Sequence, residues 1–544
     1  MGGFRPRGIT FEWSDPDLVL AQLSSARMAE RLTTLESLKL AVRSKRLAVV
    51  ALLSFSSGLP LGLVWIAIPV WLKDIGVDIR VVGLLTLFQA PWSFKFLWSP
   101  LVDRYEIPLL GRRRGYILLS QIGLFLTGLA LTFVSDHPER FAVIASLCFA
   151  IALMAATQDI AYDAYTVEVL QEGEQGLAVG ARTAMYRVAM NLSGGLAISL
   201  AGVYGWTAVN ALLAFCYLPC LLITMWADEP EVKQKAPTTL REAVWEPFLG
   251  LLARPRAIEI LAFVVLFKLA DNFAQSLQRP FFRELGFDLW DVGIVSSTIG
   301  TFGIMIGTVI GGLMTNSLGL GRALWITGFL QAFSNAGYAW VSESGPVSWI
   351  LYAATIFEYI SSGLGTGAFG VLLLRLTEKR FSATQFALLS SLFSLPRIFA
   401  GPPSGLLADT IGWTNFFLLT IVMAIPGMVM LSRFVPWSQA ELRFETPEGN
   451  PPSSTMDRGA LMRLTAVLGA ISSALAIAAL AALEAIKVFR KDATFPWMAE
   501  VMKIVIPGTI GEWLSLVGAV AAGLVLGLTL AAMWLTRFKD RVQA

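Results

Sequence analysis

Two stretches of the chain, LKDIGVDIRVVG at residues 72–83 and FRELGFDLWDVG at residues 282–293, decide the fold because they are two copies of one design. They lie 210 residues apart in the sequence. The same offset aligns Gly111 with Gly321, Arg112 with Arg322, Arg187 with Arg397, and Gly195 with Gly405. One offset that serves several distant segments indicates an internal repeat. The sequence therefore predicts a duplicated unit, with further residues before, between and after its two copies.

The composition is that of an integral membrane protein. Of the 544 residues, 55% are hydrophobic and only 15% are charged, whereas a soluble domain carries about 25% charged residues. The net charge of +3 is small and spread over the loops, so no nucleic-acid partner is expected. The three cysteines lie in apolar runs, which predicts buried thiols rather than disulfides, and no cleavable signal peptide is expected.

Apolar runs that can cross a bilayer recur along the chain, since a hydrocarbon core of about 30 Å needs about 20 residues per helix. Six fall in each half and two follow the second half, which predicts fourteen spans in an all-α protein. The predicted spans are 47–72, 81–103, 115–135, 141–164, 178–203, 205–227, 258–281, 290–316, 322–342, 346–376, 381–411, 412–435, 464–486 and 508–536.

Polar stretches separate these groups of spans. The predicted regions are a cytoplasmic extension at 1–46, six-helix bundles at 47–227 and 258–435, a cytoplasmic linker at 228–257, a cytoplasmic loop at 436–463, and two additional transmembrane helices with a cytoplasmic tail at 464–544. Arginines concentrate in the loop DRYEIPLLGRRRG at 103–115. Because basic loops stay on the cytoplasmic side, both termini are predicted to be cytoplasmic.

Two six-helix halves related by an axis along the membrane normal resemble the major facilitator superfamily. The loop at 103–115 is similar to that superfamily's signature loop between its second and third spans. The resemblance implies that Asp103, Arg104 and Arg112 act as a cytoplasmic gate, with structural anchoring as the alternative. Arg187 and Arg397 recur in both halves, which favours helix packing or gating over substrate contact.

The segment CFAIALMAATQDIAYDAYTVEVL at 148–170 carries Asp159 and Asp163 within an apolar span, where each charge costs roughly 2.5–3.5 kcal/mol at mid-bilayer. Four residues apart, both lie on one helix face, which must face the bundle interior. The offset of 210 residues places Phe369 and Leu373 at these positions, so the pair is not repeated. Like charges this close discourage simultaneous ionisation, which makes one a candidate proton carrier. A permanent pair with a buried cation is the alternative.

Further ionisable and aromatic residues extend this candidate cavity. Together with the two aspartates, the ionisable ones are Lys95, Lys268, Asp271 and Glu358. Lys268 is the candidate for an anionic substrate group, although it could instead pair with Asp271 three residues on. Tyr162 and Tyr165 could stack on a sugar ring, or be buried. Pro60, in SSGLPLG, could line the cavity or simply kink its helix.

Several motifs resemble one family within this superfamily, the muropeptide permeases of the AmpG type. They are GLPL, FKFLWSPLVDRY, GRRRG, QDIAYDA, FKLADNFAQSL, SNAGY, GTGAF and FSATQFALLS. The resemblance implies fourteen spans and import, with protons, of anhydromuropeptides, which are N-acetylglucosamine joined to anhydro-N-acetylmuramic acid with or without a stem peptide. It also implies a role in peptidoglycan recycling and in the signalling that induces β-lactamase, and it maps the family's acids of the fourth span onto Asp159 and Asp163.

We accordingly expect a multi-pass, monomeric protein of the bacterial inner membrane, with the sugar–peptide, protons and the lipid bilayer as partners. No catalytic residue, metal site or cofactor is expected, because the single histidine, His137, lies in a loop and no P-loop, metal-ligand cluster or nucleophile triad occurs. The proton gradient would supply the energy. A carrier of another bulky anion of the acetyl-coenzyme A type and a non-transporting sensor or scaffold remain as alternatives.

Overall fold

The structure is a computed structural model, and most of the two predicted bundles can be described from it. The described residues are 44–75, 90–108, 110–230, 237, 239–252, 257–400, 404–405, 407–408, 411–437, 463–464, 466–475, 477–478 and 520. Most of the predicted N-terminal extension, most of the loop at 436–463 and most of the two additional spans lie outside the described residues. So does most of the first copy of the repeat that opens the sequence analysis.

The first half is built of helices. They are α1 (Lys45–Leu72), α2 (Ala90–Phe94), α3 (Ser99–Arg104), α4 (Arg113–Thr132), α5 (Phe141–Val169), α6 (Glu172–Asn191), α7 (Ala197–Phe215) and α8 (Tyr217–Trp226). Ser44 caps α1, because its side chain accepts a hydrogen bond from the backbone N–H of Leu47. Beyond Pro60, α1 widens into a π-helical turn at Leu63–Ala67.

The linker and second half are also helical. They contain α9 (Leu240–Leu252), α10 (Ala257–Leu266), α11 (Leu269–Glu284), α12 (Leu289–Gly293), α13 (Gly300–Ser317), α14 (Leu320–Ser344), α15 (Ser348–Leu376), α16 (Ser382–Phe399), α17 (Trp413–Met423) and α18 (Ile425–Phe434). A further helix, α19 (Ala466–Leu475), lies in the region of the predicted additional spans.

Helices long and apolar enough to cross a membrane occur in both halves. Within the described residues seven runs qualify: Lys45–Leu72, Arg113–Thr132, Phe141–Val169, Glu172–Trp226, Ile260–Glu284, Ser348–Leu376 and Trp413–Arg433. The run Glu172–Trp226 has 55 residues, far more than the roughly 20 that one crossing needs. The protein is therefore an all-helical, multi-pass membrane protein.

The two halves repeat one turn at the breaks predicted near 203/205 and 411/412. Gly205, inside α7, has φ 80° and ψ 160°, and Gly412, just before α17, has φ 80° and ψ 164°. A positive φ of this size suits glycine and strains other residues. Each glycine precedes a tryptophan, Trp206 or Trp413. The backbone turns at both predicted positions, and the shared geometry supports the duplication.

Two of the predicted spans contain a local break in the helix within the described residues. The span predicted at 81–103 is interrupted at Lys95–Leu97, a 3-10 turn between α2 and α3. Pro100 in the first turn of α3 has no N–H to continue the preceding helix, and Ser99 Oγ donates instead to the carbonyl of Phe96 at 3.0 Å. The span predicted at 258–281 is likewise broken at Lys268, which precedes α11 with φ −100° and ψ 6°.

The two halves are in direct backbone contact where α6 meets α13. A Cβ built on Gly312 would lie only 2.0 Å from the carbonyl oxygen of Gly176, so the two backbones are in direct contact. Asn316 on α13 also donates to the carbonyl of Gly173 at 3.0 Å. This contact lies at the end of the bundle that carries the arginine-rich loop, and it positions the first candidate site.

Candidate functional site

A buried charge cluster centred on Arg113 joins the halves at this end. Arg113 Nη2 lies 2.7 Å from Asp103 Oδ1 and 2.6 Å from Glu168 Oε1. Arg113 and Asp103 are both 0% exposed. From the second half, the hydroxyl of Ser382 donates to Glu168 at 2.5 Å. We call Asp103, Arg113, Glu168 and Ser382 the gate cluster.

Asp103 also caps α16, a helix of the opposite half. Its Oδ2 accepts from the backbone N–H of Thr384 at 2.8 Å and from the Thr384 hydroxyl at 2.7 Å, and its Oδ1 accepts from the N–H of Ala383 at 3.2 Å. The first N–H groups of a helix lack partners within the helix and favour negative charge. Asp103 thus ties the loop of one half to a helix start in the other.

The arginine at the centre of this cluster differs from those singled out in the sequence. Arg112 contributes at the edge, with Nη2 3.0 Å from Glu168 Oε1. Arg104 lies beside Tyr105, 4.9 Å from the ring centre, and makes no ion pair within the described part of the chain. Sequence analysis missed Arg113 and Glu168, although Glu168 is the third acid of the stretch 148–170 that draws attention to Asp159 and Asp163.

The two aspartates of α5 have different surroundings. Asp163 lies between two cations, with Lys95 Nζ at 2.9 Å from Oδ2 and Arg182 Nη2 at 2.7 Å from Oδ1. Asp159 instead accepts from neutral donors, the hydroxyl of Ser57 and, at 3.1 Å, the indole N–H of Trp92. Asp163 has the arrangement of the permanent-pair alternative. Asp159 has no ion pair among the described residues.

The residues predicted to touch substrate beside these acids are buried. Tyr162 and Tyr165 are each 1% exposed, and the Tyr162 hydroxyl donates to the carbonyl of Val50 at 2.8 Å. Both rings pack in the core, which is the buried alternative to sugar stacking. Pro60 is buried as well, within the part of α1 that packs on α6. A Cβ on neighbouring Gly62 would lie 2.2 Å from Ser193 Oγ, which favours the kink and close packing over cavity lining.

A second polar network lies in the other half, around Glu358 of α15. Glu358 is 0% exposed and accepts from the side-chain amide of Gln275 at 2.8 Å and from the Tyr338 hydroxyl at 3.1 Å. Both donors are neutral. Gln278 donates to Tyr338 and accepts from Tyr359 at 2.8 Å, which extends the network along the bundle.

Lys268 forms the pair that sequence analysis left as its alternative. Its Nζ lies 2.8 Å from Asp271 Oδ2 and also donates to Ser362, to the carbonyl at 2.9 Å and to the hydroxyl at 3.0 Å. The helix break at Lys268 lets the ammonium reach Ser362 on α15. With one carboxylate and two oxygens around it, this ammonium has its charge and donors satisfied without a substrate.

Arg187 and Arg397 do not share this pattern. Neither has a carboxylate partner in the described part of the chain, and the guanidinium of Arg397 lies 5.3 Å from the ring centre of Trp65 in the opposite half. No group of three or more histidine, cysteine or acidic side chains suited to a metal occurs among the described residues. Among the described residues, the bundle thus combines paired charges, two carboxyls on neutral donors (Asp159 and Glu358), and Arg187 and Arg397, which have no acid partner.

Comparison with known proteins identifies the family. A profile of the Major Facilitator Superfamily matches residues 50–401. The chain is 40% identical over 388 residues to the anhydromuropeptide permease of Escherichia coli strain K12, covering 71% of this chain and 79% of that protein. It is 29% identical over 397 residues to the putative transporter AmpG 4 of Rickettsia conorii, covering 71% of this chain and 95% of that protein.

The fold agrees with a solved transporter. The proton:xylose symporter XylE aligns with a TM-score of 0.54 at 11% identity, covering 73% of this chain and 96% of the symporter. At this identity the likeness concerns the fold alone. Together with the superfamily profile and the 40% identical permease, it agrees with the family expected from the motifs. The chain belongs to the Major Facilitator Superfamily and, within it, to the family of the anhydromuropeptide permeases, which are membrane transporters and not enzymes.

Proposed function

We propose that this protein imports anhydromuropeptides from the periplasm into the cytoplasm together with protons, by alternating access. The substrate class rests on the Escherichia coli relative, which is named an anhydromuropeptide permease. The observation that carries the coupling is the environment of Glu358, a fully buried carboxyl with neutral hydrogen-bond donors.

Glu358 and Asp159 are the proposed proton carriers. Keeping a carboxylate ionised inside a membrane protein is costly unless a cation neutralises it, and binding a proton removes that charge. Asp163 is neutralised by Lys95 and Arg182, so we assign it to structure. Each half would then hold one carboxyl able to gain and lose a proton as the cavity opens to either side.

The gate cluster supplies the conformational part of the cycle. Its contacts close the end of the bundle that carries the arginine-rich loop, and this supports a substrate entry from the opposite end. Opening the closed end requires Asp103 to leave the start of α16 and Ser382 to leave Glu168. The proposed role of Asp103 and Arg112 is therefore gating, with Arg113 as the central cation.

We further propose fourteen spans arranged as six, six and two, in the inner membrane, with both termini in the cytoplasm and the monomer as the working unit. The basic loop at 103–115 supports this orientation, since such loops remain cytoplasmic. The proton gradient, and no cofactor, would drive accumulation. In this role the protein would serve peptidoglycan recycling.

The test is uptake of radiolabelled N-acetylglucosaminyl-anhydro-N-acetylmuramyl tripeptide into liposomes that contain the pure protein. We expect accumulation above the external concentration under an inward proton gradient, and its loss with a protonophore. Protein-free liposomes are the control. Equilibration without accumulation would contradict proton coupling. Uptake of an acetyl-coenzyme A type anion instead would indicate the other carrier class, and no movement of any substrate would favour the scaffold.

A further inference from the structure

We propose that Arg187 and Arg397, one from each half, form with the indole of Trp65 a subsite that binds a carboxylate of the transported substrate. This deepens the proposed function and rests on it. Sequence analysis assigns both arginines to packing or gating because they recur at one offset. Their surroundings in the structure lead to the different assignment.

The two arginines share one region of the bundle although they come from different halves. Arg187 on α6 and Arg397 on α16 lie within range of each other's positive charge. The helix α6 also packs against α1, which carries Trp65: a Cβ built on Gly58 of α1 would lie 2.4 Å from the carbonyl oxygen of Tyr186. Arg187 also acts on the hydroxyl of Tyr359 across the interface. Arg397 is exposed and Arg187 and Tyr186 are half-buried, so the protein itself does not fully cover the two guanidinium groups.

Within the described residues, Arg187 and Arg397 lack the carboxylate partner that other cations of the bundle have. Lys95 and Arg182 both bind Asp163, and Lys268 binds Asp271. Arg187 and Arg397 are without any such acid in the described part of the chain. Two like charges close together in a membrane protein are unfavourable when no acid lies between them. An anion bound between the two guanidinium groups would offset their repulsion and supply the missing acid.

Trp65 supplies an independent sign of an absent acceptor. Its indole N–H is buried and has no hydrogen-bond partner among the described residues. Buried donors are almost always paired, so an orphaned one calls for an explanation. The same ring lies beneath the Arg397 guanidinium at 5.3 Å, so an acceptor bound by Arg397 would lie beside the Trp65 ring.

The subsite lies next to a proposed proton carrier. The Trp65 ring meets Trp92 edge-on at 6.3 Å, and Trp92 donates its N–H to Asp159. A carboxylate bound beside Trp65 would thus be connected to Asp159 through the contact between Trp65 and Trp92. On the other side, Tyr359 begins the hydrogen-bond chain that leads through Gln278 and Tyr338 to Glu358.

The ligand chemistry follows from the cations. Two guanidinium groups and one N–H donor match a carboxylate, which accepts several charge-assisted hydrogen bonds at once. In an anhydromuropeptide such groups are the carboxylates of the acidic stem peptide, or of the lactyl group when the peptide is absent. Because one arginine belongs to each half, the bound carboxylate would also link the two halves, about fifteen residues along each helix from the helix start near the gate cluster.

The experiment is a binding cycle with two ligands, the disaccharide tripeptide and the same molecule with its carboxylates converted to carboxamides. Kd is measured by calorimetry on the pure protein for the wild type, Arg187→Gln and Arg397→Gln. We expect each substitution to raise the Kd of the carboxylate ligand roughly tenfold, which is the effect of losing one hydrogen bond to a charged group. The Kd of the amide ligand should change less than about twofold. Trp65→Phe keeps an aromatic ring but removes the N–H. It should raise the Kd of the carboxylate ligand about threefold and leave the Kd of the amide ligand unchanged.

Controls keep the outcomes distinct. Arg140→Gln removes an exposed loop arginine and should leave both Kd values unchanged. Should the glutamine variants fail to fold, the Kd of the wild type is measured for both ligands at increasing salt concentration. Only the Kd of the carboxylate ligand should rise with ionic strength. Equal losses for both ligands, or wild-type Kd values that are equal for the two ligands, would overturn the subsite and leave the proposed function intact. Wild-type protein that binds neither ligand would overturn both.

Discussion

The gate cluster and the surroundings of Glu358 are two ways of burying charge in one molecule. In the gate cluster, Arg113 and Asp103 are wholly buried, and every charge has an opposite charge at hydrogen-bond distance. Glu358 is equally buried, yet its partners are an amide and a phenol. Paired charges hold one arrangement of the halves, whereas a carboxyl on neutral donors can change its protonation without breaking an ion pair.

Arg113→Gln should have the largest effect on stability. It would leave Asp103 and Glu168 buried without their common cation, a loss of about 3–5 kcal/mol for a broken buried pair. We expect a lower midpoint of thermal unfolding in detergent. Arg104→Gln is the matched control from the same loop, since Arg104 only lies beside the exposed Tyr105 and contributes below about 1 kcal/mol. Equal shifts for the two variants would contradict the central role of Arg113.

Asp163→Asn should have the second-largest effect on stability. It would strand Lys95, whose ammonium has Asp163 as its hydrogen-bonded acid, while the partly exposed Arg182 can turn toward water. Because the amide still accepts hydrogen bonds, we expect a loss of about 2 kcal/mol in the free energy of unfolding. Thermal unfolding of Asp159→Asn provides the comparison, and its midpoint should fall less. If Asp159→Asn is the more damaging variant, the division between a structural and a titrating aspartate is wrong.

Gly312→Ala should act on the closed end of the bundle rather than on overall stability. The added methyl would lie 2.0 Å from the Gly176 carbonyl and force α6 and α13 apart, which costs about 1–3 kcal/mol. The readout is maleimide labelling of Val179→Cys, a buried position on α6, with the native cysteines replaced. Labelling should become faster. Gly173→Ala, where a Cβ meets nothing within 4 Å, should leave the rate unchanged.

Sequence analysis located the repeat and the interior acids because both leave local signals. A charge inside an apolar run is conspicuous, and the two glycine–tryptophan turns recur in both halves. It did not identify Arg113 among consecutive arginines, because each residue turns the side chain by about 100° around a helix and the start of α4 decides which one points inward.

The partners of the buried charges could not be predicted from the sequence either, because helix packing decides them. Arg182 lies 19 residues after Asp163 on another helix, and only the packing of α6 on α5 brings them together. The directions of Tyr162 and Tyr165 into the core depend on the same packing. For Lys268 the sequence leaves both a substrate contact and a pair with Asp271 open, because the helix break that turns its ammonium to Ser362 leaves no mark in the sequence.

The most direct test of this account is proton movement by Glu358→Gln in liposomes. The variant keeps the size of Glu358 and its uncharged, protonated-like state, with one acceptor oxygen and one amide donor, so its free energy of unfolding should match the wild type within about 1 kcal/mol. We predict that added anhydromuropeptide tripeptide still exchanges across the membrane, but that the pH change it causes inside wild-type liposomes falls sharply and that gradient-driven accumulation is lost. A well-folded Glu358→Gln protein that moves protons and accumulates substrate like the wild type would contradict the account.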